Sequence, residues 1–142
     1  IGRHISLHIE QIEDSVCTDS KWLGFIIEQL ISNAVKYSKD GGSVRIYTLH
    51  GKGDIKKNSK DDSLQLVIED TGIGINEEDI PRIMERGFTG YNGRLDRKSS
   101  GIGLYLCRKA ADRLGFVITF DASYKNGTRV VIDMTQRYTK HE

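Results

Sequence analysis

The sequence predicts an α/β (α+β) two-layer sandwich: a mixed, largely antiparallel sheet covered on one face by about three helices. Three observations point there. Short runs with period-two alternation or β-branched content recur along the chain, the pattern of half-buried strands. Longer runs place apolar residues at helical spacing. Their order reads β-α-β-β-α-loop-α-β-β, in which adjacent strand pairs suit antiparallel hairpins and the helices share one face. The 142 residues make one domain, and a chain near that size buries roughly 70% of its unfolded surface.

The elements follow in order. Ile5, Leu7 and Ile9 alternate with Ser6, His8 and Glu10, predicting a half-buried strand with His4 and His8 on its solvent side. Asp19 or Ser20 offers an N-cap to a helix carrying Trp22, Phe25, Ile26, Leu30 and Ala34. It runs to about Ser38 and stops before Gly41-Gly42. Val44 and Ile46 alternate with Ser43 and Arg45, and a second strand-like run occupies Leu64 to Ile68. Between them, Gly51 to Asp62 holds four Lys and three Asp and reads as a long, mobile hairpin connection.

After Asp70-Thr71-Gly72-Ile73-Gly74-Ile75 comes the acidic run Asn76-Glu77-Glu78-Asp79, suited to the positive end of a helix dipole. That second helix carries Ile80, Ile83 and Met84, with Pro81 in its first turn or two. Gly87 to Ser100 has no periodicity and reads as a loop. Gly101-Ile102-Gly103 opens a third helix through Leu104, Leu106, Ala110 and Leu114, ended by Gly115. Val117 to Phe120 and Arg129 to Ile132 are strands, with Asn126-Gly127 as the hairpin-turn signal.

Composition removes several classes of function. Lys and Arg number 21 against 20 Asp and Glu, a net charge of +1. No global field therefore favours nucleic acid or an anionic membrane. No apolar run approaches the ~18 residues of a spanning helix, and no signal-peptide pattern opens the chain. Cys17 and Cys107 lie far apart without CxxC or paired His, which argues against zinc and suits a reducing cytosol.

The motifs narrow the chemistry further. There is no GxxxxGK[ST] run, Gly72 and Gly74 do not continue into GxGxxG, and EF-hand spacing fails after Asp70. On the first helix, Gln29, Lys36 and Tyr37 stand four, three and four residues from Asn33 and share a face. An amide, an ammonium and a phenol in one row suit a magnesium–polyphosphate ligand, the alternative being an ordinary solvated face. Asn33 can give a carbonyl oxygen to Mg²⁺ and Lys36 a point charge to phosphate.

These residues resemble a known family. Glu28-Gln29-Leu30-Ile31-Ser32-Asn33-Ala34-Val35-Lys36-Tyr37 is similar to the N box of sensor histidine kinases, Asp70-Thr71-Gly72-Ile73-Gly74 to their G1 box, and Gly101-Ile102-Gly103-Leu104 to their G2 box. Ile83-Met84-Glu85-Arg86-Gly87-Phe88 resembles the F box, and Gly127-Thr128 the terminal glycine motif. The chain thus looks like the ATP-binding catalytic domain of a bacterial sensor histidine kinase. Its superfamily, with the Bergerat-type fold, also holds type II topoisomerases, a heat-shock chaperone and mismatch-repair ATPases. The wording is most similar to Gram-positive kinases that sense antimicrobial peptides.

The resemblance implies a set of roles. Asp70 accepts from the adenine amine, Gly72 and Gly74 let backbone approach the base, and Tyr37 lies along adenine or ribose. Gly101 and Gly103 bring a helix N-terminus to the phosphates. Ile75, Phe88, Ile102, Leu104 and Thr128 complete the nucleotide contacts, and Asn33 is the metal ligand. Seven basic against two acidic residues between Arg82 and Lys109 make the lid region cationic, with Arg94, Arg97 and Lys98 candidates for the triphosphate. Gln29 and Arg86 are candidate catalytic residues. The family's Arg after the F-box aromatic is replaced by Thr89-Gly90, and its Asn four residues before the metal Asn by Gln29.

The implied function is Mg²⁺–ATP binding and γ-phosphoryl transfer to a His on a separate dimerisation domain, with a response regulator downstream. Alternatives are an ATP hydrolase, or a protein-serine kinase or anti-sigma factor of the same fold. None of His4, His8, His50 or His141 has the acidic and Arg-Thr-Pro-like context of a phosphoacceptor. Residues 1–142 are therefore expected to be one catalytic domain, monomeric and without membrane contact, from the cytoplasmic part of a membrane-anchored kinase.

Overall fold

The computed structural model describes residues 4–10, 12, 18–50, 63–88 and 102–134. Among these residues five strands form one mixed sheet: β1 (Ser6–Ile9), β2 (Ser43–His50), β3 (Leu64–Asp70), β4 (Val117–Phe120) and β5 (Thr128–Asp133), in the order β1-β2-β3-β5-β4. Only the β1–β2 pair is parallel; the others are antiparallel. Helices α1 (Ser20–Lys36) and α2 (Gly103–Leu114) pack side by side. They run antiparallel, with Gly103 against Gln29 and Arg113 over the Trp22 ring at 5.8 Å. Among the described residues, no helix is long and apolar enough to cross a membrane.

Period-two alternation decides which face is covered. Leu64, Leu66 and Ile68 of β3, Val44 and Ile46 of β2, and Val130 and Ile132 of β5 pack on Ile26, Leu30 and Ala34 of α1 and Cys107, Ala110 and Leu114 of α2. The opposite face is polar at its centre. There Tyr47 donates its hydroxyl to the buried Glu69, which also receives Arg129 Nε at 2.9 Å and faces Arg45 at 3.6 Å. Burial, and then the Glu69 carboxylate, push the Tyr47 phenol up to about 12, so it remains a donor at neutral pH.

α1 is finished at both ends. Asp19 accepts from the amides of Lys21 and Trp22, and the Ser38 hydroxyl donates to the Ala34 carbonyl at 2.7 Å. The helix stops at Lys36, two residues before the predicted Ser38, and Trp22 is 40% exposed rather than in the buried stripe. At the end of α2, Gly115 takes the expected left-handed conformation, φ 78°.

Two local expectations are corrected. β1 is exposed along its length, with Leu7 at 51% and Ile9 at 61%. It is an edge strand, and α1 lies over β2 and β3 instead. The second helix is a 3₁₀ helix, Glu77–Arg82, with Pro81 inside it. Amides of Asp79, Ile83, Glu85 and Phe88 each reach the carbonyl three residues back, and Pro81 has no N–H to give an α turn. The β4–β5 connection spans residues 121–127, with the expected Asn126-Gly127 signal at its end. Asp121 organises it by accepting from the Ser123 amide and hydroxyl.

Candidate functional site

Asp70 ends β3 on the helix-covered face, 5% exposed. Its Oδ1 accepts two backbone amides, Gly72 at 2.8 Å and Thr128 at 3.1 Å. Among the described residues no hydrogen bond falls on Oδ2 and no cation pairs with the carboxylate. Burial raises its pKa, and the two amide bonds oppose that rise. A buried carboxylate with one oxygen satisfied is a fixed acceptor that favours an N–H donor from a ligand.

The backbone around it is close-packed. A Cβ at Gly72 would lie 2.3 Å from the Tyr37 carbonyl, to which the Ile73 amide donates at 3.2 Å. One at Gly127 would lie 2.0 Å from the Asp70 carbonyl. Glycine is required at both for these backbones to meet. Gly74 packs in turn on the Gly127 carbonyl. The 71–74 loop is thus held between the end of α1 and the start of β5.

Above it stands the polar row of α1. Gln29, Asn33, Lys36 and Tyr37 are all half-buried, and Lys36 Nζ lies 5.5 Å from the centre of the Tyr37 ring. A Cβ at Gly103 would meet Gln29 Oε1 at 2.6 Å, so α2 begins directly against this row. Ile102 precedes α2 and supplies no side-chain cap, leaving first-turn amides without that partner. Ile75 and Leu104 are half-buried apolar neighbours packed on the core.

The expected site residues separate into three groups. Contacts link Asp70, Gly72, Gly74, Thr128 and Tyr37 at one end, and Gln29 with Gly103 at the other. Asn33 and Lys36 stand between them on α1, with Ile102 and Leu104 flanking Gly103. Phe88 is tied back to the 3₁₀ helix, its ring under the Arg82 guanidinium at 4.5 Å, while Arg86 lies 5.7 Å from the Tyr105 ring in the first turn of α2. Arg94, Arg97, Lys98 and Gly101, with most of the expected lid, lie outside the described residues.

Two contributors escape the sequence reading. Tyr124 sends its hydroxyl to the Asp70 carbonyl at 3.4 Å, and Ser38 closes the end of α1 under the loop. Neither carries a motif signal: Tyr124 acts across 54 residues, a distance that only the fold closes, and Ser38 acts through a local bond to the carbonyl four residues back. A cleft of about 140 Å³ between the 121–127 connection and residues 73–80 shares Gly74, Ile75 and Thr128 but is not lined by Asp70 or α1.

The donor set suits a bipolar ligand: a fixed acceptor at one end, helix amides at the other and an ammonium between them. Asn33 adds one neutral hard oxygen. Among the described residues no group of three His, Cys, Asp or Glu can hold a metal. A single amide oxygen fits an ion that brings phosphate oxygens as its other ligands.

Residues 18–137 match the family described as histidine kinase-, DNA gyrase B-, and HSP90-like ATPase. The sensor protein BceS of Bacillus subtilis is 38% identical over 128 residues, covering 90% of this chain and 35% of the relative. The sensor protein kinase GraS of Staphylococcus aureus is 38% identical over 120 residues, covering 84% and 32%. The chain thus spans about a third of the length of these curated relatives. Among solved structures, the mycobacterial sensor histidine kinase MprB superposes with TM-score 0.69 at 25% identity, covering 92% of this chain and 81% of that one. The catalytic domain of histidine kinase ThkA gives 0.67 at 20% identity, covering 93% and 78%, a likeness of fold.

Proposed function

The chain belongs to the histidine kinase-, DNA gyrase B-, and HSP90-like ATPase family, and from that premise we propose that it binds Mg²⁺–ATP and donates the γ-phosphoryl group to a histidine. The acceptor lies on a separate dimerisation segment of a membrane-anchored two-component sensor kinase, and a response regulator receives the phosphate in turn. The observation that carries this reading is the half-satisfied carboxylate of Asp70.

Asp70 Oδ2 takes the adenine amine, while Gly72 and Gly74 let the base lie against backbone. Tyr37, Ile75, Ile102 and Leu104 form its apolar surroundings, with Thr128 fixing the Asp70 carboxylate through its amide. Lys36 and the first amides of α2 face the phosphates, where the helix dipole favours negative charge. Asn33 would hold Mg²⁺ through its amide oxygen, and the ion would supply neutralisation of the charge that develops at the transferred group. Phe88 and Arg86 stand at the edge of the expected lid, whose Arg97, Lys98 and Gly101 are candidates for the triphosphate and lie outside the described residues.

The hydrolase alternative lacks a proton acceptor where one is needed. Gln29 carries an amide, and it packs against Gly103. The test mixes the chain with γ-labelled ATP, Mg²⁺ and a His-bearing dimerisation segment. Acid-labile, base-stable label on histidine supports the reading. Free phosphate without transfer identifies a hydrolase, and acid-stable label on serine a serine kinase; either result overturns it.

A further inference from the structure

Arg129 follows Thr128 in β5, and alternation sends its side chain to the face of the sheet opposite Asp70 and α1. Directly behind the Asp70–Thr128 pair lies the Glu69–Arg129 pair, in register. Arg129 Nε meets Glu69 at 2.9 Å, and Nη1 meets Asp121 at 3.1 Å. Its guanidinium also stacks 4.3 Å from the centre of the Tyr124 ring, and the Tyr124 hydroxyl reaches the Asp70 carbonyl. One side chain therefore joins β3, the first residue of the 121–127 connection, and a residue in that connection's middle. The connection delivers Gly127 onto the Asp70 backbone and the Thr128 amide onto Asp70 Oδ1.

We propose that Arg129 is a positioning residue for base selection: from behind the sheet it fixes the Thr128 amide, and so holds the free oxygen of Asp70 in line with the ligand's exocyclic amine. The proposal rests on the adenine reading of Asp70. Without Arg129, Glu69 loses its shortest cationic partner, and Asp121 and Tyr124 lose the group that ties their loop to β3. The Thr128 amide is then free to drift, and the Asp70 carboxylate can rotate about its remaining bond to Gly72. A planar fork is needed, because one group must serve two carboxylates and a ring at once.

The test compares ATP with purine riboside triphosphate, which lacks only the 6-amino group. Both carry the same phosphates, so any change in electrostatics or in the fraction folded cancels in the ratio of their affinities. Calorimetric titration of the wild-type chain should favour ATP by about tenfold or more, as for a hydrogen bond to a charged group. Arg129→Gln should shrink that preference to about threefold or less, and Asp121→Ala, which leaves the Glu69 pair intact, to an intermediate value. A folded Arg129→Gln protein with the wild-type ratio overturns the proposal. If that variant does not fold, an unchanged ratio in Asp121→Ala overturns it instead. A wild-type chain that does not distinguish the two nucleotides removes the adenine reading itself, and the positioning role with it.

Discussion

α1 and α2 lie against one another, yet their first turns are finished differently. Asp19 closes the start of α1 with two hydrogen bonds, whereas α2 begins at Gly103 behind Ile102, with no side-chain cap. A cap contributes typically ~1 kcal/mol, so the bare end of α2 is a local loss of stability. It occurs where α2 meets the polar row of α1. On the proposed function, the difference separates a helix end that serves the fold from one left open for a ligand.

The largest expected effect is at the opposite end of the candidate site. If the open amides take the phosphates, Asp70 reads the base. Asp70→Asn should then cost about 1.5–3 kcal/mol in ATP affinity, because an amide N–H₂ now faces the exocyclic amine. A 6-oxo purine such as GTP should lose much less. The same change should raise apo stability at neutral pH. The folded pKa of Asp70 is raised by burial, so the native state binds the proton more tightly than the unfolded chain. That stabilisation is complete below the unfolded pKa and lost as pH rises through the folded one. The advantage of Asn therefore exists at neutral pH and closes on acidification. Thermal melts of both proteins across pH, with calorimetric titrations, check both parts.

Next in size are the groups between the two ends. Lys36→Ala should weaken ATP by about 1–2 kcal/mol with or without Mg²⁺, since its charge acts directly on phosphate. Asn33→Ala should weaken it mainly in Mg²⁺. An equal loss for Asn33→Ala in EDTA and in Mg²⁺ would contradict the ligand role.

Gly103→Ala tests the open terminus itself. The new Cβ pushes on Gln29 Oε1, the end of a flexible side chain, and alanine favours the helix, so stability should hold or rise by up to about 1 kcal/mol. Nucleotide affinity should nevertheless fall about tenfold, as Gln29 and the methyl crowd the amides. Rising stability with unchanged affinity would show that the α2 terminus is merely unfinished.

The smallest effect on binding belongs to the capped end. Asp19→Ala should cost about 1 kcal/mol of stability while leaving ATP affinity of the folded protein unchanged. Urea titration and calorimetry on one sample separate the two quantities.

The contrast between the helices also shows what a sequence reveals. Asp19, Gly115 and the alternation in β2, β3 and β5 act through neighbours within a turn or across one strand period, so they were readable. Motifs single out Asp70, Asn33 and the paired glycines as candidates, and the fold brings Asp70, Gly72 and Gly74 together. β1 misled, because alternation reports a strand without reporting whether a helix reaches far enough to cover it. The 3₁₀ helix misled because apolar spacing says little about whether Pro81 and its neighbours close three- or four-residue turns. The Glu69–Arg129–Asp121 cluster was invisible: Arg129 and Glu69 are 60 residues apart, and only strand register brings them together.

Cys107 sits on α2 with no exposed surface, its sulfur 4.0 Å from the Ile26 carbonyl of α1. Burial pushes the thiol up to about 12, so it is inert to alkylating reagents while the two helices stay together. It is, in effect, a stopwatch sealed into the seam. In a Cys17→Ser background, the labelling half-time counts how often α1 and α2 part. A nucleotide that bridges the polar row of α1 and the first turn of α2 must lengthen that interval, so seam breathing can be timed without any readout of phosphate transfer.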